Sequence, residues 1–349
     1  MKIRLYPILF FLLGAMSLQS QDVHFSQFYL APLTINPALT GSFNGLYRVG
    51  VIYREQYFAG GDVKPYRTPS ASVDFSLLKE KIKHGALGVG LVFINDQSNK
   101  KTIVQNQFLA SVSYHMMFGK ERTKFQLGLG FQGGMKMLRV NYDIMRFEQG
   151  FNNDLTYNPA NSGESFENQK RTQGIFNMGL FTQMEFIKGY RFYTGYSFNN
   201  IARQKDKFLA TSSDDITRRG FRHVVHGGFE FDIKDAAVLI PGYFFQTQQK
   251  AIETNVGLTA GIHVVKKPEN KATLYLGLWH RVGESLIPKL GFEYKGFRAG
   301  VAYDAMVGKI SKDQKNIAGR SIHSIEVSLM YIGSLSVPKE DNYLFNPRY

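Results

Sequence analysis

The sequence predicts an all-β protein: a transmembrane antiparallel β-barrel of about 14 strands. Three observations carry this expectation. Long stretches alternate apolar and polar residues with period two, the pattern recurs along most of the chain, and the long connections fall on alternate hairpins. The clearest stretch is Lys124–Val140. Phe125, Leu127, Leu129, Phe131, Met135 and Met137 share one phase, while Gln126, Gly128, Gly130, Gln132, Gly134 and Lys136 share the other. Successive side chains of a strand point to opposite faces, so one face is oily and the other polar or bare. A helix would need apolar residues near every 3.6 positions. The stretch exceeds the roughly 9–11 residues of a tilted membrane strand, whereas soluble strands average roughly 5–6. Its interior glycines suit a crowded or curved barrel wall.

Composition is compatible with this. The chain has 349 residues, 44% of them hydrophobic, with 29 Phe, 19 Tyr and 34 Gly. A mean hydropathy of −0.21 looks soluble, but alternation hides lipid-facing residues among polar ones. The absence of cysteine excludes disulfides, cysteine-ligated metal and a lipidated N-terminal cysteine. The net charge is +14, which suits an acidic partner or anionic headgroups as well as nucleic acid.

Residues 1–20 read as a signal peptide, with Lys2 and Arg4 before the apolar run Leu5–Ala15 and Leu18 and Ser20 at the cleavage site. The run falls short of the roughly 20 residues of a membrane helix. Residues 21–45 do not alternate. Pro32 and Asn36-Pro37 break the segment, and the residue before a proline is driven out of the helical region. The segment reads either as a lead-in to the first strand or as a plug that enters the barrel and closes its lumen.

Residues 46–333 supply the strands. The first seven are Leu46–Tyr57, Thr68–Leu77, His84–Ile94, Ile103–Phe118, Lys124–Val140, Thr172–Phe186 and Tyr190–Asn200. The next seven are Arg222–Ile233, Ala236–Gln248, Ala251–Val265, Ala272–Val282, Ser285–Lys295, Phe297–Met306 and Ser321–Gly333. Pro241 suggests a bulge in the ninth, and Pro288 makes the twelfth imperfect. The long connections, 58–67, 141–171, 201–221 and 307–320, all follow odd strands. Barrels of this kind have short periplasmic turns and long outer loops, so odd connections face outside and the tail 334–349 is periplasmic. A soluble β-sandwich is the rival architecture, but it calls for shorter strands with fewer glycines on the polar face.

No chemistry-bearing motif stands out. Gly128, Gly130 and Gly133 match G-x-G-x-x-G inside a strand rather than at a strand-to-helix turn. His223 and His226 point to opposite faces at their odd spacing, which argues against a shared metal. Glu230, Asp232 and Glu293 read as lumen charges balancing Lys289, Lys295 and Arg298. Arg218-Arg219 and Lys266-Lys267 read as solvated or headgroup-facing pairs rather than nucleic-acid readers. The expectation is no enzyme, no metal and no cofactor.

The mature start, Gln21-Asp22-Val23-His24-Phe25-Ser26-Gln27-Phe28-Tyr29, followed by Asn36-Pro37-Ala38-Leu39-Thr40-Gly41 and by Tyr47–Arg54, resembles the opening of the PorP/SprF family. Ser324–Tyr331 and the terminal Asn346-Pro347-Arg348-Tyr349 resemble its ending, although family members often close in Cys-Pro-Arg-Phe. The resemblance implies a barrel of the fatty-acid-transporter type in the cell outer membrane, working in Bacteroidetes type IX secretion and gliding motility. It implies as partners outer-membrane lipid, periplasmic and outer-membrane secretion components, and cargo proteins with C-terminal sorting domains. Phe25, Ser26, Gln27, Phe28, Asn36, Pro37 and Gly41 are the candidate plug or partner-binding residues; Pro347, Arg348 and Tyr349 are the candidate tail contacts. Two other functions fit the residues. One is a channel for hydrophobic small molecules, since Asn36-Pro37-Ala38 also resembles the N-terminal hatch of fatty-acid channels and Pro241 offers a candidate kink; the other is a structural anchor for a periplasmic ring.

Overall fold

A computed structural model describes residues 23–334 except 59–64, 80, 83, 99–100, 121–122, 142–157, 159–169, 203–204, 207–216, 219, 234–235, 266–270, 309–310 and 312–320. The expected signal peptide, most of the 141–171 connection, Arg219, Lys266, Lys267 and the tail with Pro347, Arg348 and Tyr349 lie outside the described residues.

Fourteen strands close into one antiparallel barrel. They are β1 (Tyr47–Phe58), β2 (Tyr66–Leu77), β3 (Gly85–Gln97), β4 (Ile103–Lys120), β5 (Thr123–Val140), β6 (Lys170–Ile187) and β7 (Tyr190–Asn199). Then follow β8 (Arg222–Ile233), β9 (Ala237–Gln248), β10 (Ala251–Val265), β11 (Ala272–Arg281), β12 (Ser285–Tyr294), β13 (Phe297–Met306) and β14 (His323–Gly333). Each strand pairs with its sequence neighbours, and β1 closes the ring on β14 with Tyr47 opposite Gly333 and Tyr53 opposite Val327. A two-residue ladder, Lys205–Asp206 with Thr217–Arg218, lies in the connection after β7.

Closure follows from the alternation. In β5, Leu129, Phe131 and Met135 are exposed, while Gln126 and Gln132 on the other phase are buried. The same inversion holds in β10, where Leu258 is exposed and Thr259 and His263 are buried. Ring closure pairs each strand on both sides, with an exposed belt of Leu, Val, Ile and Phe around a buried polar interior. The barrel offers its oily face to lipid, the one arrangement open to a β-structure that spans a bilayer.

Strands β1 to β6 run beyond an expected end, whereas β7, β9, β11, β12 and β14 fall one or two residues short. β3 continues through Asn95-Asp96-Gln97, where alternation stops. Thr68 Oγ1 donates to Asp96 Oδ1 at 2.6 Å and Asn95 Nδ2 to Asn106 Oδ1 at 2.5 Å, so polar side chains carry the wall past the apolar band. The bulge expected at Pro241 is absent. Gly228 pairs with Gly242 and Phe231 with Leu239 in one register, and the β8–β9 ladder simply lapses where proline has no N–H to give. On its other side Pro241 stays opposite Leu258.

The odd strands all end, and the even ones begin, at one end of the barrel, which is therefore the end joined by the long connections of the sequence. The short turns, the start of β1 and the end of β14 lie at the other. Residues 23–44 occupy the lumen between the two ends.

Candidate functional site

The inner segment is built from three single 3-10 turns, Phe28–Leu30, Pro32–Thr34 and Pro37–Leu39. Pro32 and Pro37 open two of them, where a missing N–H costs nothing. Asn36 is extended, as a residue before proline must be, and its Oδ1 caps the third turn by accepting from Ala38 N at 2.9 Å. The segment descends from the loop-rich end, where His24 meets Arg54, to the turn-rich end, where Phe43 and Gly45 meet Lys79.

Ser26 and Gln27 are held at the barrel seam. Their backbone N–H groups donate to the Glu326 carboxylate of β14 at 2.5 and 2.9 Å. Ser26 Oγ donates to Asp304 of β13 at 2.8 Å, and Lys289 Nζ reaches Ser26 O at 2.6 Å. Arg54 of β1 joins the same knot, donating to His24 O at 2.6 Å and to Asp304 at 3.2 Å. Arg281 spans Glu253 at 3.1 Å and Asp304 at 3.0 Å. Buried charges are tolerable only when paired and hydrogen-bonded in this way, and here the pairing runs through the inner segment. His24 Nε2 lies 3.4 Å from Glu253. Burial nevertheless drives the imidazole down to about 3, the pull of Glu253 being opposed by Arg54, Arg281 and Arg222, so His24 is neutral.

Midway down, Asn36 Nδ2 donates to Leu180 O at 2.9 Å and meets His226 Nε2 at 3.1 Å. The strands receive it because they carry no side chain there. A Cβ on Gly179 or Gly195 would overlap the Asn36 amide, and one on Gly130 would overlap Pro37 and Ala38. The bare phase of β5 is thus a seat for the inner backbone as well as a curved wall. Lower still, Gly41 takes φ +67° and lies against Gly88, its N–H donating to Asp74 Oδ2 at 2.7 Å. Arg48 fastens that carboxylate at 2.7 Å and reaches Leu39 O at 2.9 Å. Thr40 O is gripped by Ser113 and His115. At the exit Lys79 Nζ donates to Phe43 O at 2.9 Å and Gly45 O at 2.6 Å, and burial lowers its ammonium to about 8.

All seven candidate residues of the segment are buried in the lumen, but they form three stations rather than one site. Phe25 packs with Ala31 and Ile52 beside Ser26 and Gln27. Phe28 lies 4.9 Å from Phe244 and 5.4 Å from Trp279, with Lys289 Nζ over its ring at 5.2 Å. Asn36 and Pro37 hold the middle and Gly41 the lower end. The charge balance differs in part from expectation. Glu230 pairs with Arg191 and Glu293 with Arg298, whereas Lys295 is exposed in the β12–β13 turn and leaves the lumen charges alone. His226 faces the lumen, while His223 meets Tyr196 Oη at 2.8 Å on the outer side.

Sequence reading missed the partners on the wall: Arg48, Arg54, Asp74, His115, Glu253, Arg281, Asp304 and Glu326. Their one signal was an ionisable residue on the polar phase of a membrane-length strand, where charge is expensive and so placed for a reason. Among the described residues no group of three or more His, Asp or Glu side chains is gathered as a metal site.

A family model described as type IX secretion system membrane protein PorP/SprF matches residues 17–325. A comparison with curated protein sequences found no match. Among solved structures the chain is similar to the Ralstonia pickettii toluene transporter TbuX, at 10% identity and TM-score 0.49, covering 88% of this chain and 94% of that one. It is also similar to a Pseudomonas aeruginosa FadL homologue, at 9% identity and TM-score 0.46, covering 85% and 92%. The Pseudomonas putida toluene transporter TodX is similar at 11% identity and TM-score 0.44, covering 89% and 94%. With a closed barrel and an apolar outer belt the chain is an outer-membrane protein, and it belongs to the PorP/SprF family of type IX secretion system membrane proteins.

Proposed function

We propose that this barrel serves the secretion machine as a plugged, non-catalytic membrane component rather than as the conduit. In this reading residues 23–44 close the lumen. The loop-rich end holds or helps export cargo proteins with C-terminal sorting domains, and the turn-rich end, with the chain's tail, contacts periplasmic components. One observation carries the reading: the segment fills the lumen with Phe25, Phe28, Leu33, Ile35 and Leu39 at 2% exposure or less. Its polar atoms are tied to strands around the ring. A folded or extended cargo chain crossing this barrel would first have to break that network.

The test compares proteins released to the medium by cells with and without the gene, and by cells carrying a chain that lacks residues 21–45. Membrane fractionation and the heat-modifiable mobility of the barrel report insertion. Loss of a defined cargo set without the gene supports the reading. Normal export with loss of uptake of hydrophobic compounds favours a channel instead, and normal export with retained capture of periplasmic components favours an anchor.

A further inference from the structure

At the loop-rich end, beside Thr34 of the inner segment, lies a small cavity of about 30 Å³, room for a compact polar group rather than a whole metabolite. Five side-chain amides line it, those of Gln107, Gln132, Asn177, Asn199 and Asn200, together with one cation, Arg222. Part of this lining is already committed. Gln132 Nε2 donates to Leu33 O at 3.0 Å and its Oε1 accepts from Asn177 Nδ2 at 2.8 Å. Asn199 Nδ2 donates to Ser197 Oγ at 2.9 Å, and Asn177 Oδ1 accepts from Asn200 N at 3.0 Å.

Arg222 is the exception. It is 7% exposed, and its Nε donates to Gln246 Oε1 at 2.9 Å, yet its Nη2 is buried with no partner among the described residues. Among the described residues no carboxylate lies within ion-pair distance of it. Gln246 stands between Arg222 and Glu253, donating to the latter, and Glu253 is engaged by Arg281 at 3.1 Å. A buried guanidinium without a counter-charge is costly, and its planar fork matches the two oxygens of a carboxylate or phosphate. Gln107, buried on the same wall, makes no hydrogen bond among the described residues and has a donor to spare.

We infer that this cavity is an oxyanion site, in which Arg222 Nη2 binds an oxygen of a small carboxylate- or phosphate-bearing molecule and Gln107 donates to another. The lining residues Ile94, Gln107, Asn199 and Arg222 stand at the strand ends from which the long connections leave, so the occupant is expected from that side. The occupant is either a free oxyanion or one borne on a surface sugar.

The experiment uses the full chain purified in detergent. Thermal unfolding is followed at constant ionic strength in sodium chloride, inorganic phosphate, acetate and a hexose 1-phosphate. With about 10 mM oxyanion the midpoint of the wild-type chain rises by about 2–4 °C over chloride. That rise is lost in Arg222→Gln and kept in Arg139→Gln, an exposed cation at the same end. Should Arg222→Gln fail to fold, phosphorus NMR of the wild-type chain reads the same binding as line broadening that acetate reverses. A response to phosphate and acetate supports a free oxyanion, and a response to the hexose phosphate alone supports a sugar-borne one. Equal midpoints in every salt, or a rise that persists in Arg222→Gln, overturns the site.

Discussion

Asn36 and His226 meet at 3.1 Å near the middle of the lumen, one from the inner segment and one from the wall. The imidazole lies parallel to the Phe181 ring at 9°, and Gly195 leaves the gap through which the amide arrives. This pair locates the turn of the segment opposite β6, β7 and β8, so it is the natural first target. Asn36→Ala removes the cap on the Ala38 N–H and the partner of His226 Nε2. We expect a loss of roughly 3 kcal/mol, since buried groups left unsatisfied cost about 1–3 kcal/mol each. Denaturant unfolding of the detergent-solubilised barrel measures it.

The glycine seats make a steric prediction. Gly130→Ala drives a methyl into the Pro37-Ala38 backbone and Gly179→Ala drives one into the Asn36 amide, and each lowers the thermal midpoint. Gly133→Ala, whose Cβ meets only the Phe176 ring and Ile175 at ordinary contact distances, leaves it within error. Equal effects at Gly130 and Gly133 would show that the glycines serve wall curvature alone.

Glu326 ties β14 to the segment and to Arg54 of β1, the strand it closes upon. Removing one member of a buried charge network costs about 3–5 kcal/mol, so Glu326→Gln should be destabilised on that scale. The heat-modifiable form of the variant should melt at lower temperature than Glu55→Gln, whose ion pair with Arg67 is solvent-exposed.

Burial holds His24 at about 3 against 6.5 when unfolded. The folded state therefore binds fewer protons than the unfolded state between these values. The contribution of His24 is complete above pH 6.5 and is lost as pH falls toward 3. Carboxylates also titrate there, so the informative quantity is a difference. Wild type minus His24→Gln stability should shrink steadily from pH 7 to pH 4, measured by denaturant unfolding.

The barrel was legible because lipid and lumen impose opposite demands on neighbouring residues. Leu127 beside Gly128, or Val256 beside Gly257, declares both faces at once. Strand ends were less legible at Asn95-Asp96-Gln97, where the wall leaves the apolar band and the alternation ends. Segment 23–44 declared its irregularity through Pro32 and Asn36-Pro37. Its partners stayed hidden because they lie up to 301 positions away, as Ser328 does from Gln27, and local pattern holds no record of such pairings. Lys295 was misplaced because a turn residue continues the period-two phase of β12 by accident. Pro241 suggested a bulge, but a barrel strand can drop ladder pairs on one side while the other holds its register.

The central claim is a lumen filled by the chain's own N-terminal segment. The most direct measurement is conductance of the purified full chain in a planar lipid bilayer, with insertion verified independently. A filled lumen predicts inserted barrels with no steady ion current, whereas a sustained open-pore current from the wild-type chain would contradict it.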